Sequence, residues 1–237
     1  MVLTLHHLGL SQSERVIWLA EELGIDYKYV HHNRDPIFSP QSIKDLHPAG
    51  TAPVMEDDPS PVTGSKVVIA ESGAIADYLI AVHGNGRLGR TAKDGAEYAP
   101  YLEWFHFANG SLQPTLFRVM MARGPASDSK SPVVAHTVAK WNHLLDMMDA
   151  RLGETGAYLA GKELSAADIM TVFTLTTMRG FCPIELDTVK NANILAYLKR
   201  IGERPAYQKA MLKCEGEGFK PVLGSKAEAF NIMKPKI

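Results

Sequence analysis

Apolar and polar positions along the 237-residue chain follow two regimes. Up to about Val82 the apolar runs are short and strand-like, broken by helical spacings; past Gly95 every strong pattern is helical. Residues 2–5 form a short β-type run, and a polar break at 8–12 precedes the helical stripe Val16, Leu19, Ala20 and Leu23, closed by Gly24. Ser11 and Glu14 stand at the Ser-x-x-Glu spacing of a capping box, predicting a helix over about 13–23. Residues 27–30 are a second β-run, and one helix between two such runs reads as a βαβ unit with parallel strands. Residues 31–45, polar and carrying Pro36 and Pro40, predict a loop with one short helix.

The stretch 51–72 organises what precedes it. Two apolar runs, Thr51-Ala-Pro-Val-Met55 and Val67-Val-Ile-Ala70, are joined by Asp57, Asp58, Pro59, Ser60, Pro61 and Gly64, which predicts a β-hairpin. Pro53 cannot donate to a ladder and belongs at a strand's start, so the backbone of Ala52 is turned to something other than the sheet. Glu71 and Ser72 then lead into the helical pattern Ile75, Tyr78, Leu79 and Val82. An extended backbone edge beside a helix N-terminus is a candidate peptide-binding surface; the same residues also describe a plain hairpin with a capped helix.

Residues 84–95, rich in Gly and charge and without periodicity, mark a domain boundary, giving domains at 1–84 and 95–237 with a linker at 85–94. In the second part Tyr98, Tyr101, Leu102, Phe105, Ala108 and Leu112 recur at helical spacing, and Pro114 is expected to kink or restart that helix. A surface loop is expected at 124–132 and a long helix through Val134, Trp141, Leu145, Met148 and Leu152. Ser165 and Asp168 form a capping box with Leu164 and Ile169 as its hydrophobic staple; helices at 193–203 and 205–214 precede a polar tail.

Composition narrows the function classes. Hydrophobic content of 46% supports a full core, and a net charge of −1 argues against non-specific binding to nucleic acid or anionic membrane. No run is long enough to span a bilayer, and the start lacks the basic and apolar regions of a signal peptide. Cys182 and Cys214 have neither disulfide-scaffold nor Cys-x-x-Cys spacing, so a reducing, cytoplasmic compartment is expected. His6-His7 and His31-His32 lack partners at metal-ligand spacing, so no metal is expected.

A βαβ-ββα domain with Thr51-Ala52-Pro53-Val54 before its third strand and Glu71-Ser72-Gly73 before its last helix, followed by helices with Ser165-Ala-Ala-Asp168 and Arg204-Pro205-Ala206-Tyr207, resembles the cytosolic glutathione transferases. The start, with Ser11-Gln-Ser-Glu-Arg15, Arg34-Asp35 and His47-Pro48-Ala49-Gly50, looks most like the fungal and bacterial enzymes of the yeast microsomal type. The resemblance implies an α+β, thioredoxin-like N-terminal domain with a mixed four-stranded sheet, then an all-α domain. It implies a cis Pro53 that turns the Ala52 backbone toward the cysteinyl part of glutathione, Glu71 and Ser72 receiving the γ-glutamyl group, and Thr51 contacting the tripeptide. It further implies a cytoplasmic, homodimeric enzyme of detoxification whose helical domain lines the pocket of a small apolar electrophile, with Tyr101, Phe105 and Phe117 as candidates.

The chemistry such an enzyme needs is thiol activation. A cysteine thiol has a pKa near 8.5, so only a few per cent is thiolate at neutral pH, and a hydrogen-bond donor at a helix N-terminus raises that fraction. Relatives use tyrosine, serine, cysteine or asparagine after the first strand. Here no tyrosine or cysteine lies between Val2 and Tyr27, which leaves Ser11, Gln12 and Ser13. Counted back from Arg15, the plant-type serine falls on Leu10 and the asparagine of the yeast nitrogen-regulatory relative on Gln12, so Ser11, taken first with Ser13 second, needs a one-residue slip. Three functions follow: a transferase that conjugates electrophiles or reduces hydroperoxides, a non-catalytic or regulatory glutathione-binding module, and a glutathione-dependent disulfide reductase.

Overall fold

The computed structural model describes residues 2–123 and 131–230. Of the loop expected at 124–132, residues 124–130 lie outside the described residues, as does the end of the polar tail. Contacts divide the chain into two compact units. The first runs to Gly89 and takes back Glu203–Pro221; the second comprises Arg90–Gly202 and Val222–Ala229.

In the first unit, β1 (Val2–Leu8), α1 (Glu14–Leu23), β2 (Lys28–His32), a single turn α2 (Gln41–Lys44), β3 (Val54–Asp58), β4 (Val67–Ala70) and α3 (Ser72–Tyr78) follow in order, and a π-helical turn, Leu79–His83, extends α3. The sheet order is β2-β1-β3-β4, with β1 and β2 parallel and the other pairs antiparallel. β1 is buried from Leu3 to Leu8, including Thr4, His6 and His7, so both faces of this strand are covered rather than one. That is why its sequence lacks a clean apolar/polar alternation. β3 opens at Val54, immediately after Pro53, so the proline removes no donor from the ladder.

The late helix α9 (Pro205–Glu215) packs on α1, its Tyr207 ring edge-on to Trp18 at 5.0 Å. Charge latches this pair. Lys209 and Lys213 reach the two Glu21 oxygens at 2.6 and 2.5 Å, and Arg204 grips Glu22 through Nε at 2.6 Å and Nη2 at 2.8 Å. At the far end of the hairpin, buried Asp57 accepts from the Tyr78 hydroxyl and His83 Nε2, each at 2.9 Å, tying β3 to the helix that follows β4.

In the second unit, α4 (Tyr98–Phe107) and α5 (Gln113–Ala122) are joined by a π-helical turn, Ala108–Leu112, and α6 (Pro132–Thr155), α7 (Ala166–Leu175) and α8 (Ala192–Gly202) complete the helical set. Pro114 sits within the first two positions of α5. The widened turn before it absorbs the missing N–H, so the chain restarts without a sharp break. The capping box at α7 forms in full: Asp168 accepts from Ser165 N–H at 2.9 Å and its hydroxyl at 3.1 Å. The same carboxylate accepts from Leu159 N–H at 2.9 Å and the Tyr197 hydroxyl at 3.2 Å, so one buried residue joins three segments.

Asp168→Asn replaces acceptor capacity with unmatched donors at a fully buried site. It is expected to lower the unfolding free energy by about 3 kcal/mol, read from the shift in urea midpoint. A second expectation concerns acid. Burial pushes the Glu21 carboxyl up, but hydrogen bonds from Lys209, Lys213 and Tyr27 outweigh it and hold the pKa down at about 2. A depressed carboxylate stabilises the fold above its unfolded pKa of about 4.5 and loses that contribution as pH falls toward 2. Glu21→Gln is therefore expected to flatten the stability profile in that window and to cost about 1 kcal/mol at neutral pH, by denaturation at a series of pH values.

Candidate functional site

The loop from Gly9 to Ser13 joins β1 to α1 and is held from both sides. Arg34 donates from Nε to the Gly9 carbonyl at 3.0 Å and from Nη2 to the Leu10 carbonyl at 2.7 Å, while Nη1 donates to the Ile37 carbonyl at 2.7 Å. Burial lowers the Arg34 pKa and the facing Glu215 opposes that shift, so the guanidinium stays charged at neutral pH. From the other side Glu215, at the end of α9, accepts the Leu10 N–H at 2.6 Å. Leu10 is thereby held at φ 51, a left-handed conformation uncommon for a leucine.

That reversal shapes the entry to α1. The helix begins at Glu14 with Ser13 in the cap position, and the hydrogen bonds Glu14 N to Ser11 O and Arg15 N to Gln12 O make the first turn tight. The Ser-x-x-Glu box is not what forms. Ser11 Oγ instead accepts the Ser13 N–H at 3.2 Å, and Glu14 is buried. Both candidate serines are buried too, and they differ in where their hydroxyls go. Ser13 Oγ turns inward, accepting Leu8 N–H at 3.0 Å and meeting His7 Nδ1 at 2.8 Å; Ser11 Oγ lies 2.6 Å from Ser13 Oγ.

Gln12 and Arg15 carry this turn to the hairpin. Gln12 Nε2 donates to the Ala52 carbonyl at 3.3 Å, and its Oε1 accepts from Arg15 Nη1 at 3.2 Å. The same Nη1 donates to Ser72 Oγ at 3.3 Å. Arg15 is fully buried, and burial draws its pKa down to about 9 against the opposing charge of Glu14. The Ala52–Pro53 peptide bond is cis, and Ala52 packs with Leu8, Ile43 and Leu46 in a small apolar cluster. Thr51 beside it is exposed. Glu71 is exposed at φ 73 and ψ 115, a backbone position costly for any residue with a Cβ, and Ser72 is the buried first residue of α3. Ala52, Gln12, Arg15 and Ser72 thus form one hydrogen-bonded path, with Pro53 and Glu71 at its ends.

In the second unit Tyr101 and Phe105 are buried with ring centroids 5.7 Å apart, whereas Phe117 on α5 is 53% exposed. The first two are core side chains of that unit and the third is surface. Among the described residues no cluster of three or more His, Cys, Asp or Glu could hold a metal ion, and no helix is long and apolar enough to cross a membrane. Cys182 and Cys214 are buried free thiols, both pushed up by burial.

Two family models match the chain: the glutathione S-transferase N-terminal domain over residues 11–82 and the glutathione S-transferase C-terminal domain over residues 112–205. The chain belongs to the glutathione S-transferase family. Its mixed four-stranded sheet and separate helical unit are that family's fold. Glutathione S-transferase 1 of Saccharomyces cerevisiae is 26% identical over 73% of this chain and 80% of its own. A solved glutathione S-transferase from Actinobacillus pleuropneumoniae superposes with a TM-score of 0.77 at 26% identity, covering 92% of this chain and 97% of that one. A glutathione transferase from Burkholderia graminis, solved with two glutathione molecules bound per subunit, shares the fold at a TM-score of 0.69 and 23% identity, over 89% of this chain and 88% of that one.

Sequence reasoning named Arg34 only as part of the family resemblance, gave His7 no role and did not reach Glu215. His7 stood out only as half of a His-His pair, and nothing in local spacing ties it to a residue 208 positions away. Arg34→Ala is expected to strip three backbone carbonyls of their donor, costing about 2 kcal/mol and accelerating hydrogen exchange at the Leu10 and Ser13 amides before global unfolding. Exchange at those amides unchanged from wild type would show that Glu215 alone suffices to hold the loop.

Proposed function

We propose that this glutathione transferase docks glutathione along the Ala52–Pro53 corner and the Glu71–Ser72 turn, holds its sulfur as thiolate with the Ser11 hydroxyl, and adds it to a small apolar electrophile or uses it to reduce a hydroperoxide. The observation that carries the reading is the path Ala52–Gln12–Arg15–Ser72, which ties the docking backbone to the turn bearing Ser11. The Ala52 carbonyl has two lone pairs and Gln12 uses one, so the other can accept a peptide N–H. Glu71, exposed and held with positive φ, suits an ammonium group, and Ser72 at a helix start, backed by the Arg15 guanidinium, suits a carboxylate. Thr51, exposed next to Ala52, completes the tripeptide's contacts.

Bound in this way the thiol needs one donor, because a hydrogen bond to the charged form lowers a pKa. Ser11 supplies it, at the start of a helix whose first amides add positive potential. The thiolate then attacks the electrophile's carbon, displacing a leaving group or adding with uptake of a proton. With a hydroperoxide it attacks the distal oxygen, and the O–O bond breaks to give glutathione sulfenic acid and an alcohol; a second glutathione thiol then forms the disulfide and releases water. The exposed Phe117 and Met121 on α5 offer apolar surface for the electrophile, and Tyr101 and Phe105 support that helical unit from within. The family likeness supports a homodimer acting in the cytoplasm in detoxification.

Glu71→Ala is expected to weaken retention on immobilised glutathione at least about tenfold. Ser11→Ala is expected to lower kcat with a chlorodinitrobenzene about a hundredfold while leaving glutathione affinity nearly unchanged. Absence of measurable glutathione binding by the unaltered chain would overturn the reading, and binding without turnover of electrophile, peroxide or disulfide would make it a binding module instead.

A further inference from the structure

We propose that Glu215, His7 and Ser13 form a positioning relay that points the Ser11 proton outward, toward the sulfur of bound glutathione. The inference rests on the role assigned to Ser11 above. Its basis is a continuous buried chain of polar atoms: Glu215 Oε1 to His7 Nε2 at 3.3 Å, His7 Nδ1 to Ser13 Oγ at 2.8 Å, and Ser13 Oγ to Ser11 Oγ at 2.6 Å. His7 and Ser13 are fully buried, and Glu215 and Ser11 are 5% and 8% exposed. Glu215 and Ser13 also anchor the loop through the Leu10 and Leu8 amides, but neither of those bonds calls for an imidazole between them or for a second hydroxyl beyond.

Counting donors and acceptors decides what the relay does. Glu215 Oε1 also accepts the Leu10 N–H, an arrangement suited to an ionised carboxylate. With His7 protonated opposite that charge, Nδ1–H donates to Ser13 Oγ. Ser13 Oγ also accepts Leu8 N–H at 3.0 Å, which fills its two lone pairs. Its own proton then goes to Ser11 Oγ at 2.6 Å, a closer acceptor than the Leu8 carbonyl at 3.3 Å. Ser11 Oγ now accepts from Ser13 twice, through O–H and N–H, and its own proton is left for a group outside this set. With His7 neutral and its proton on Nε2, every hydroxyl in the row reverses. Ser13 donates to Nδ1, Ser11 donates to Ser13, and lone pairs rather than a proton face the sulfur. The charge on His7 therefore sets whether Ser11 is a donor or an acceptor at the site.

Other titratable groups surround the pair. Tyr29 stacks on His7 at 6.0 Å and His31 lies 5.5 Å away, both from β2; His32 is on the same strand; Cys214 adjoins Glu215 on α9; and Arg34 faces Glu215. Arg34 balances part of the carboxylate's charge through the loop it clamps, and the Tyr29 phenol, pushed well up by burial, stays neutral across the working range.

Glu215→Gln tests the relay, because the amide oxygen can keep the Leu10 N–H while the negative charge opposite His7 is lost. The readout is the ultraviolet thiolate absorbance of enzyme-bound glutathione titrated against pH, in wild type and in Ser11→Ala. In the wild-type background Glu215→Gln is expected to lower bound thiolate about tenfold at pH values below the midpoint, with glutathione Kd changed by less than about twofold. In the Ser11→Ala background it is expected to change nothing further, since the proton it controls is gone. Equal losses in both backgrounds, or no loss while Ser11→Ala alone lowers thiolate, would overturn the relay and leave Ser11 in its role. Unchanged thiolate in Ser11→Ala itself would sink the Ser11 assignment and the relay with it. Should Glu215→Gln fail to fold, Ser13→Ala cuts the row between His7 and Ser11 without altering charge, and the same tenfold loss or its absence decides.

Discussion

The turn that carries Ser11 is held by one carboxylate that arrives late in the chain. Glu215 takes the Leu10 N–H and stands opposite His7, while Arg34 takes the Gly9 and Leu10 carbonyls. With both its donor and its acceptors engaged, the loop after β1 cannot relax out of the left-handed turn at Leu10. That turn aligns Ser11 with Ser13 and aims Gln12 and Arg15 at the hairpin. α9 can deliver Glu215 because Trp18, Tyr207 and the Glu21–lysine and Glu22–Arg204 pairs lock it to α1. Exposed ion pairs contribute little singly, but here two half-buried glutamates on α1 gather three cations from α9.

The second unit solves its own version of the same problem. Asp168 is a buried carboxylate that four donors satisfy, from Leu159, Ser165 and Tyr197. It organises a helix start and nothing in its surroundings resembles a site. The contrast is instructive. A buried charge whose every lone pair meets a donor is architecture, whereas a buried row of hydroxyls and an imidazole with protons free to reverse can carry information toward a surface.

Local rules foretold much of this molecule, and their failures have identifiable causes. The Ser165 and Asp168 spacing became the box it predicted, because nothing nearby competed for those atoms. The Ser11 and Glu14 spacing did not, because the clamp on Leu10 placed Ser11 Oγ over the Ser13 N–H instead. Pro114 restarted its helix through a widened turn rather than a kink, an adjustment that leaves no mark in the sequence. The burial of β1 on both faces blurred the alternation by which a strand is usually read.

What the sequence determined by itself was the kind and order of elements and the family they spell, since strand runs, helix stripes, the proline before β3 and the Glu71–Ser72 turn are short-range signals. The tertiary structure alone decided which polar groups meet around Ser11. Arg15 reaches Ser72 across 57 positions and Glu215 reaches His7 across 208, and at those separations pairing is set by how helices pack on a sheet, not by spacing along the chain.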